Sequence, residues 1–465
     1  MSYIFKGVSG ALFSVAAGAF SLFFQFFAAK YYGAESYGEA SYFFGVASTI
    51  SLFFLFGQQY YLSKKRLKKE DFSKIFFGIL TVFLISLIIS LPWLLHFFKF
   101  TDVVFFILIA INIIIIDLNG AYYIRFNQPQ LASFYKGFLF RLLSVFFLVV
   151  FYFFYKSYYS ILLSILIPLL VISIIQISKN VRITKPNFKQ LFNVFYLIQI
   201  MNLAINYLAL IFQKHYSNYI LVGVLALCIA ISNALNLVSL NIANSVLPKF
   251  SELLSNNGFK RIENQIEINN IYKSIVRTNA FILIPVTIYL IIFSKEILGI
   301  FGKSYASGAI ILPIILIGQS INVLSGPNGS VILMSNKNYF EIFNGIIKTS
   351  INIIIIIVFA PHYYWGVALA ISVSEVVGNF LKSIEVYFFY KVVPYDFKTI
   401  KYLVLWTFSE SLILLFLYLG IDSKIKLLCG LVFLFFSILL KYKFSTFEED
   451  RNFFNKIFNY VTRRK

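Results

Sequence analysis

The sequence predicts an all-α polytopic membrane protein with about 14 transmembrane helices, and three observations carry that prediction. Of the 465 residues, 60% are hydrophobic and only 13% charged, with a mean hydropathy of +0.82, too apolar for a chain that must cover a water-facing surface with charge. Apolar runs of roughly 20 residues, the length of helix that crosses a ~30 Å hydrocarbon layer, recur from end to end between short polar turns. The cations gather in alternate turns, as the bias of Lys and Arg toward the cytoplasm requires of a chain that crosses back and forth.

The first hairpin sets the topology. Spans Gly7–Ala29 and Glu39–Tyr61 flank the turn Lys30-Tyr-Tyr-Gly-Ala-Glu-Ser-Tyr-Gly, and the second runs into Ser63-Lys-Lys-Arg-Leu-Lys-Lys. One cation in the turn against five at the far end places the far end inside. The apolar run after Met1–Lys6 is too long for a secretory signal core and reads as an uncleaved first helix. Spans at 75–95, 101–120, 137–155 and 158–177 follow, and the basic stretch Ser178-Lys-Asn-Val-Arg-Ile-Thr-Lys-Pro marks the boundary between halves. Beyond it lie spans at 193–212 and 219–245, then the inside segment Pro248–Arg277, whose stretch Lys260–Lys273 is amphipathic enough for a surface helix. Spans at 278–294, 306–326, 341–360, 364–388, 400–419 and 424–441 precede a basic tail. Assigning the cations to turns puts about 29 on the side of the first basic loop and about 8 on the other, so both termini are expected in the cytoplasm.

The two halves echo each other. Phe27-Ala-Ala-Lys-Tyr-Tyr-Gly-Ala-Glu-Ser-Tyr-Gly38 is matched by Phe212-Gln-Lys-His-Tyr-Ser-Asn-Tyr-Ile-Leu-Val-Gly223, and Phe98-Lys-Phe-Thr by Phe301-Gly-Lys-Ser-Tyr305. Such repeats predict two six-helix lobes around a central cavity, with two further C-terminal helices. The expected division is an N-lobe at 1–178, a cytoplasmic linker at 179–190, a C-lobe at 191–390, the last helix pair at 391–443 and a basic tail at 444–465.

Several function classes find no support. The formal charge of +21 resides mostly in turns between apolar spans, where it sets topology and meets anionic headgroups, so nucleic acid is not an expected partner. Cys228 and Cys429 lie inside spans, far apart, and no Cys/His spacing resembles a metal site. No nucleophile–base pair, oxyanion device, cofactor motif or Walker-type Gly-x-x-x-x-Gly-Lys-Ser/Thr is present, so no enzyme is expected.

What the spans do carry is polar stripes. Residues at i, i+3, i+4 and i+7 share a helix face, and a polar face inside a membrane avoids lipid. Ser14, Gly18, Ser21 and Gln25 form one such face; Gln199, Asn202 and Asn206 another; Asn233, Asn236 and Asn244 a third; Gln319, Asn322 and Gly326 a fourth. Amides donate and accept at once, which suits a sugar rich in hydroxyls, while the same residues also glue helices together. The sharpest signal lies on the eleventh and twelfth spans, where Glu341, Asn344, Lys348 and Asn352 share one face and Glu375, Gly378, Lys382 and Glu385 another. A charge at bilayer depth costs about 2.5–3.5 kcal/mol and normally has a partner. Two roles stay open. Lys348 offers a point charge to a substrate pyrophosphate while Glu375 binds a coupling proton or cation, or the two form a structural ion pair. Asp117 and Arg141, at similar depth on neighbouring spans, make a second possible pair, and Arg141 also suits bidentate phosphate contact. Glu410, outside the twelve-helix core, is expected to snorkel or pack, and His96, His215 and His362 fall at outer turns.

The run Ala28-Ala-Lys-Tyr-Tyr-Gly-Ala-Glu-Ser-Tyr-Gly-Glu-Ala, the segment Leu247-Pro-Lys-Phe, Phe301-Gly-Lys-Ser-Tyr305 and Trp365-Gly-Val-Ala-Leu-Ala370 resemble the polysaccharide biosynthesis and O-antigen flippase family. That family belongs to the superfamily of multidrug, oligosaccharidyl-lipid and polysaccharide exporters. The resemblance implies transfer of an undecaprenyl-pyrophosphate-linked oligosaccharide across the bacterial inner membrane by alternating access, coupled to an ion gradient. It also implies a monomer that meets membrane lipids and works beside a polysaccharide polymerase and its chain-length machinery. A multidrug exporter, a peptidoglycan lipid-precursor flippase and a non-transporting membrane scaffold are the alternatives. The first is expected to favour cavity carboxylates and twelve helices, and the second more Arg in the first two helices, which here hold none.

Overall fold

The computed structural model describes residues 2–58, 61–62, 69–126, 128–188, 191, 196–197, 199–201, 208–253, 262–334, 338–393, 395–420 and 425–443. Eleven helices among them are long and apolar enough to cross a membrane, and no strand occurs among the described residues. The first of the eleven contains two expected spans. Helix α1 (Ser2–Phe54) breaks at Gly33, whose φ of 84° and ψ of 165° are non-helical and disfavour any side chain. The break reverses the chain. The Tyr37 hydroxyl donates to Gln25 Oε1, 12 residues away, a contact that an unbroken helix would stretch to about 18 Å.

Cα packing divides the chain into two units. The first comprises Met1–Ile231 and Ile354–Val367. It contains α1, α2 (Lys69–Phe97), α3 (Phe100–Arg125), α4 (Phe140–Phe154) and α5 (Tyr158–Asn180). The centre is α3, which buries Val103, Phe106, Ile109, Ile114 and Leu118. Polar side chains bind α3 to α5, with Asn180 Nδ2 donating to Asn119 Oδ1 at 2.9 Å. The Tyr32 hydroxyl donates to the Leu148 carbonyl at 3.0 Å and ties α1 to α4. After α5 the chain runs back along α2, where Asn187 N donates to Lys74 O at 3.1 Å and Arg182 N to Ser73 Oγ at 3.1 Å.

Helix α6 (Leu208–Tyr216) leads into α7 (Tyr219–Leu253), whose first turns pack in the first unit and whose remainder belongs to the second, Ser232–Ile353 with Ala368–Lys465. The second unit contains α8 (Ile262–Ile292), α9 (Gly308–Leu324), α12 (Phe397–Gly420), α13 (Lys426–Lys443) and, apart from the stretch Ile354–Val367, α10 (Asn338–Phe359) and α11 (Gly366–Tyr390). Its core gathers Leu253, Ile268, Tyr272, Val331, Val386 and Tyr390, and a smaller cluster of Tyr289, Phe293 and Leu414 anchors α12 to α8. The amphipathic stretch expected as a surface helix is different. From Ile262 it forms the first turns of α8, continuous with the span, because no breaker intervenes and Ile268 and Tyr272 are buried. The seventh expected span lies partly, and the basic tail wholly, outside the described residues.

Candidate functional site

Helices α10 and α11 form a hairpin closed by Gly366, where a Cβ would lie 2.6 Å from the Ala360 nitrogen. Antiparallel pairing brings the two polar faces together. At one end Lys382 Nζ meets Glu341 Oε1 at 2.5 Å, and Asn344 Nδ2 donates to Glu385 Oε2 at 2.7 Å. Two turns further along, Lys348 Nζ lies 2.6 Å from Glu375 Oε1. Asn352 Nδ2 then donates to Ser374 Oγ at 3.2 Å. The two ion pairs alternate, cation on α10 facing anion on α11 and the reverse, while Glu385 adds a carboxyl held by an amide. Side-chain exposure is 19% for Lys348 and 14% for Glu375, so the pair is mostly buried without being sealed.

Gly378 makes room for this arrangement. A Cβ there would come within 3.0 Å of Lys348 Cδ, so the lysine stem lies across the bare backbone of α11 to reach Glu375 one turn away. Asn379 steadies the carboxylate, its Nδ2 donating to the Glu375 carbonyl at 2.9 Å and standing 3.4 Å from Oε2. Asn328, at the start of the short helix Asn328–Met334, donates to the Asn379 carbonyl at 3.2 Å and extends the network to a third element. Asn379, Asn328 and Ser374 were not among the residues singled out from the sequence. Asn379 lies at i+4 from Glu375 and carried a readable signal; Asn328 joins the network through tertiary packing and carried none.

The other predicted site residues are dispersed. Asn236 Nδ2 donates to Gln319 Oε1 at 2.6 Å, and Asn322 approaches the same oxygen at 3.4 Å, so two stripes meet on Gln319 between α7 and α9. Asn233 is exposed on α7. Asn202 and Asn206 lie outside the described residues, as does the Asn244 side chain. Gln25 is engaged by Tyr37 within the first hairpin. Asp117 is bound by Lys136, Nζ to Oδ1 at 2.7 Å, and the Arg141 guanidinium stands 4.8 Å over the Phe140 ring. Glu410 is buried, with the Ser437 hydroxyl of α13 donating to Oε1.

The second unit also carries a groove of about 660 Å³ between α8, α9 and α12. Ile288, Ile291, Ile317, Leu403, Val404 and Phe408 form its walls. Among the described residues no group of three or more His, Cys, Asp or Glu side chains is arranged to hold a metal ion.

No family model and no curated protein matches the chain. Solved structures do. The lipid II flippase MurJ, in an inward closed conformation, superposes with a TM-score of 0.73 at 18% identity, over 97% of this chain and 100% of that one. An inward-facing multidrug resistance MATE family transporter of the MOP superfamily gives 0.59 at 11% identity, over 82% of this chain and 98% of that one. The Vibrio cholerae MATE transporter VcmN, in a mutant form, gives 0.54 at 13% identity, over 83% and 97%. The chain shares the fold of these transporters. Within that fold the flippase superposition extends over nearly the full length, whereas the two MATE transporters leave about a sixth of this chain uncovered.

Proposed function

We propose that this protein is a flippase that carries an undecaprenyl-pyrophosphate-linked oligosaccharide across the bacterial cytoplasmic membrane by alternating access of two lobes. The observation that carries the reading is the apolar groove, because one of its walls is α12, beyond the twelve-helix core. A polyprenyl tail needs an apolar place to lie while its headgroup crosses, and this groove is one. Lys348 offers the pyrophosphate a point charge, and Glu375, released from it, takes up the coupling proton or cation. The amides Asn236, Gln319 and Asn322 are of the type that accommodates sugar hydroxyls. Peptidoglycan precursor is the second reading, favoured by the full-length likeness to a lipid II flippase.

The test is the sided pool of lipid-linked oligosaccharide in cells depleted of the protein, probed with an impermeant reagent, with cationic-drug tolerance measured alongside. Build-up of polysaccharide repeat units on the cytoplasmic face with unchanged drug tolerance is the expected result. Build-up of peptidoglycan precursor instead selects the second reading. A normal lipid pool with new drug sensitivity overturns both.

A further inference from the structure

At the end of the α10–α11 seam remote from the Gly366 turn, two links between the helices cross. Glu341 Oε1 meets Lys382 Nζ at 2.5 Å, two turns from the Lys348–Glu375 pair on both helices, as antiparallel pairing requires. Asn344 lies about one turn nearer Gly366 than Glu341, and Glu385 about one turn further from it than Lys382, yet Asn344 Nδ2 donates to Glu385 Oε2 at 2.7 Å. The two side chains reach toward each other, so their head groups meet at the level of the Glu341–Lys382 pair. Four polar groups therefore share one layer, and Glu385 is close enough to interact electrostatically with both Glu341 and Lys382. On a third side a Cβ at Gly329 would stand 3.5 Å from Lys382 Nζ, so the short helix Asn328–Met334 presents bare backbone there.

This layer carries a surplus of negative charge. It sets two carboxylates against one ammonium, whereas the Lys348–Glu375 pair is balanced. Donors are in deficit too. Among the described residues nothing donates to Glu341 Oε2 or to Asn344 Oδ1, both closed to solvent, and Asn344 as a whole is only 1% exposed. Buried acceptors nearly always have a partner in native structures, so this orphan amide oxygen, independently of the surplus charge, points to a ligand. A water molecule satisfies the oxygens and leaves the charge; a cation answers both. We infer that Glu341, Asn344 and Glu385 form a binding site for one monovalent metal cation, with sodium as the fitting ion. The groups offered are all oxygens, the preference of hard cations, and a surplus of one negative charge matches a single positive one, where a divalent ion leaves an excess. Because the orphan oxygens are closed to solvent, the occupant is a bare ion rather than a sugar. Lys382 holds Glu341 by Oε1 and leaves Oε2 for the ion. The site lies about 10 Å along α11 from Glu375, separate from the Lys348–Glu375 pair, and it stands whether or not the protein is a flippase.

The test is thermal unfolding of the full chain in detergent, in sodium chloride against choline chloride at equal ionic strength and pH. A ligand that binds only the folded state stabilises it, so the midpoint should rise with sodium concentration in the unsubstituted protein. Glu385→Gln keeps an acceptor for Asn344 and removes the surplus charge, and it should weaken sodium binding about tenfold or more. Lys348→Met combined with Glu375→Gln should leave the sodium response intact, which a site on that pair would not. No sodium response in the unsubstituted protein, an undiminished response in Glu385→Gln, or loss of the response in the double variant overturns the site. A midpoint that follows pH and ignores sodium shows that a proton takes the place of the metal ion and overturns the inference as well. If Glu385→Gln is not monodisperse after extraction, equilibrium binding of radioactive sodium to the double variant decides. One ion per chain supports the site, and none overturns it.

Discussion

Lys348 and Glu375 decide whether the α10–α11 seam works or merely holds. At 2.6 Å, with less than a fifth of either side chain exposed, each is the other's main compensation for leaving water. Removing one partner strands a charge, which for buried pairs costs about 3–5 kcal/mol and here less because the pair is not sealed; removing both is nearly neutral. Lys348→Ala should therefore lower the midpoint of thermal unfolding in detergent, and Lys348→Met combined with Glu375→Gln should recover most of it. Under the proposed mechanism, in which the charges serve the substrate and the coupling ion, flipping should stay lost in the double variant. A double variant that regains both stability and transport assigns the pair to architecture. The stripe was legible because Glu341, Asn344, Lys348 and Asn352 stand out at helical spacing in an apolar run. The partner of Asp117 was not, although Lys136 and Arg141 are equally plain in the sequence. Between Asp117 and Arg141 the chain forms a π-helical turn, Ser133–Leu139, whose extra residue rotates the face that a 3.6-residue period predicts and presents Lys136 instead.

At the scale of elements, hydropathy locates helices well but says little about how they end. Gly33 was readable as a turn, yet only its left-handed φ shows that the turn is a single corner between two helical arms. The start of α12 is a second such detail. Asp396 precedes its first residue, and its Oδ1 accepts the Thr399 N–H at 2.7 Å, an N-cap that satisfies one of the unpaired amides of the first turn. The Thr399 hydroxyl and N–H hold the Asp396 carboxyl below the usual carboxylate range, with Lys273 contributing at 3.9 Å. A carboxyl whose value is lowered by folding stabilises the folded state above its ordinary value near 4, and that contribution fades as the pH falls below it. Asp396→Ala should weaken the first turn by about 1 kcal/mol at neutral pH, read as faster hydrogen exchange at Thr399 and Ile400. The difference from the unsubstituted protein should narrow as the medium is acidified through that range. A difference that grows in acid would show that the cap is not what Asp396 supplies.

The whole molecule adds what no local pattern holds. The groove takes Thr287 from α8, Ser320 from α9 and Thr407 from α12, residues that sit in separate apolar runs and mark nothing along the sequence. Its existence depends on α12 being docked on α8 through Leu414, Tyr289 and Phe293, a contact between segments more than a hundred residues apart. In a bilayer such a groove gains nothing from the hydrophobic effect, since lipid tails are as apolar as its walls, so its occupancy is set by shape. On the proposed function, selectivity for a polyprenyl tail over ordinary acyl chains would come from length and fit along the groove. Val404→Trp, on the exposed wall of α12, fills the groove without burying a polar group or touching the α10–α11 seam. In proteoliposomes it should slow flipping of a substrate carrying the full-length tail severalfold, while a short-tailed analogue with the same headgroup, which never needs the groove, crosses at the unsubstituted rate. Equal slowing of both would mean that the tryptophan perturbs the lobes rather than the tail, and equal rates for both would place the tail elsewhere.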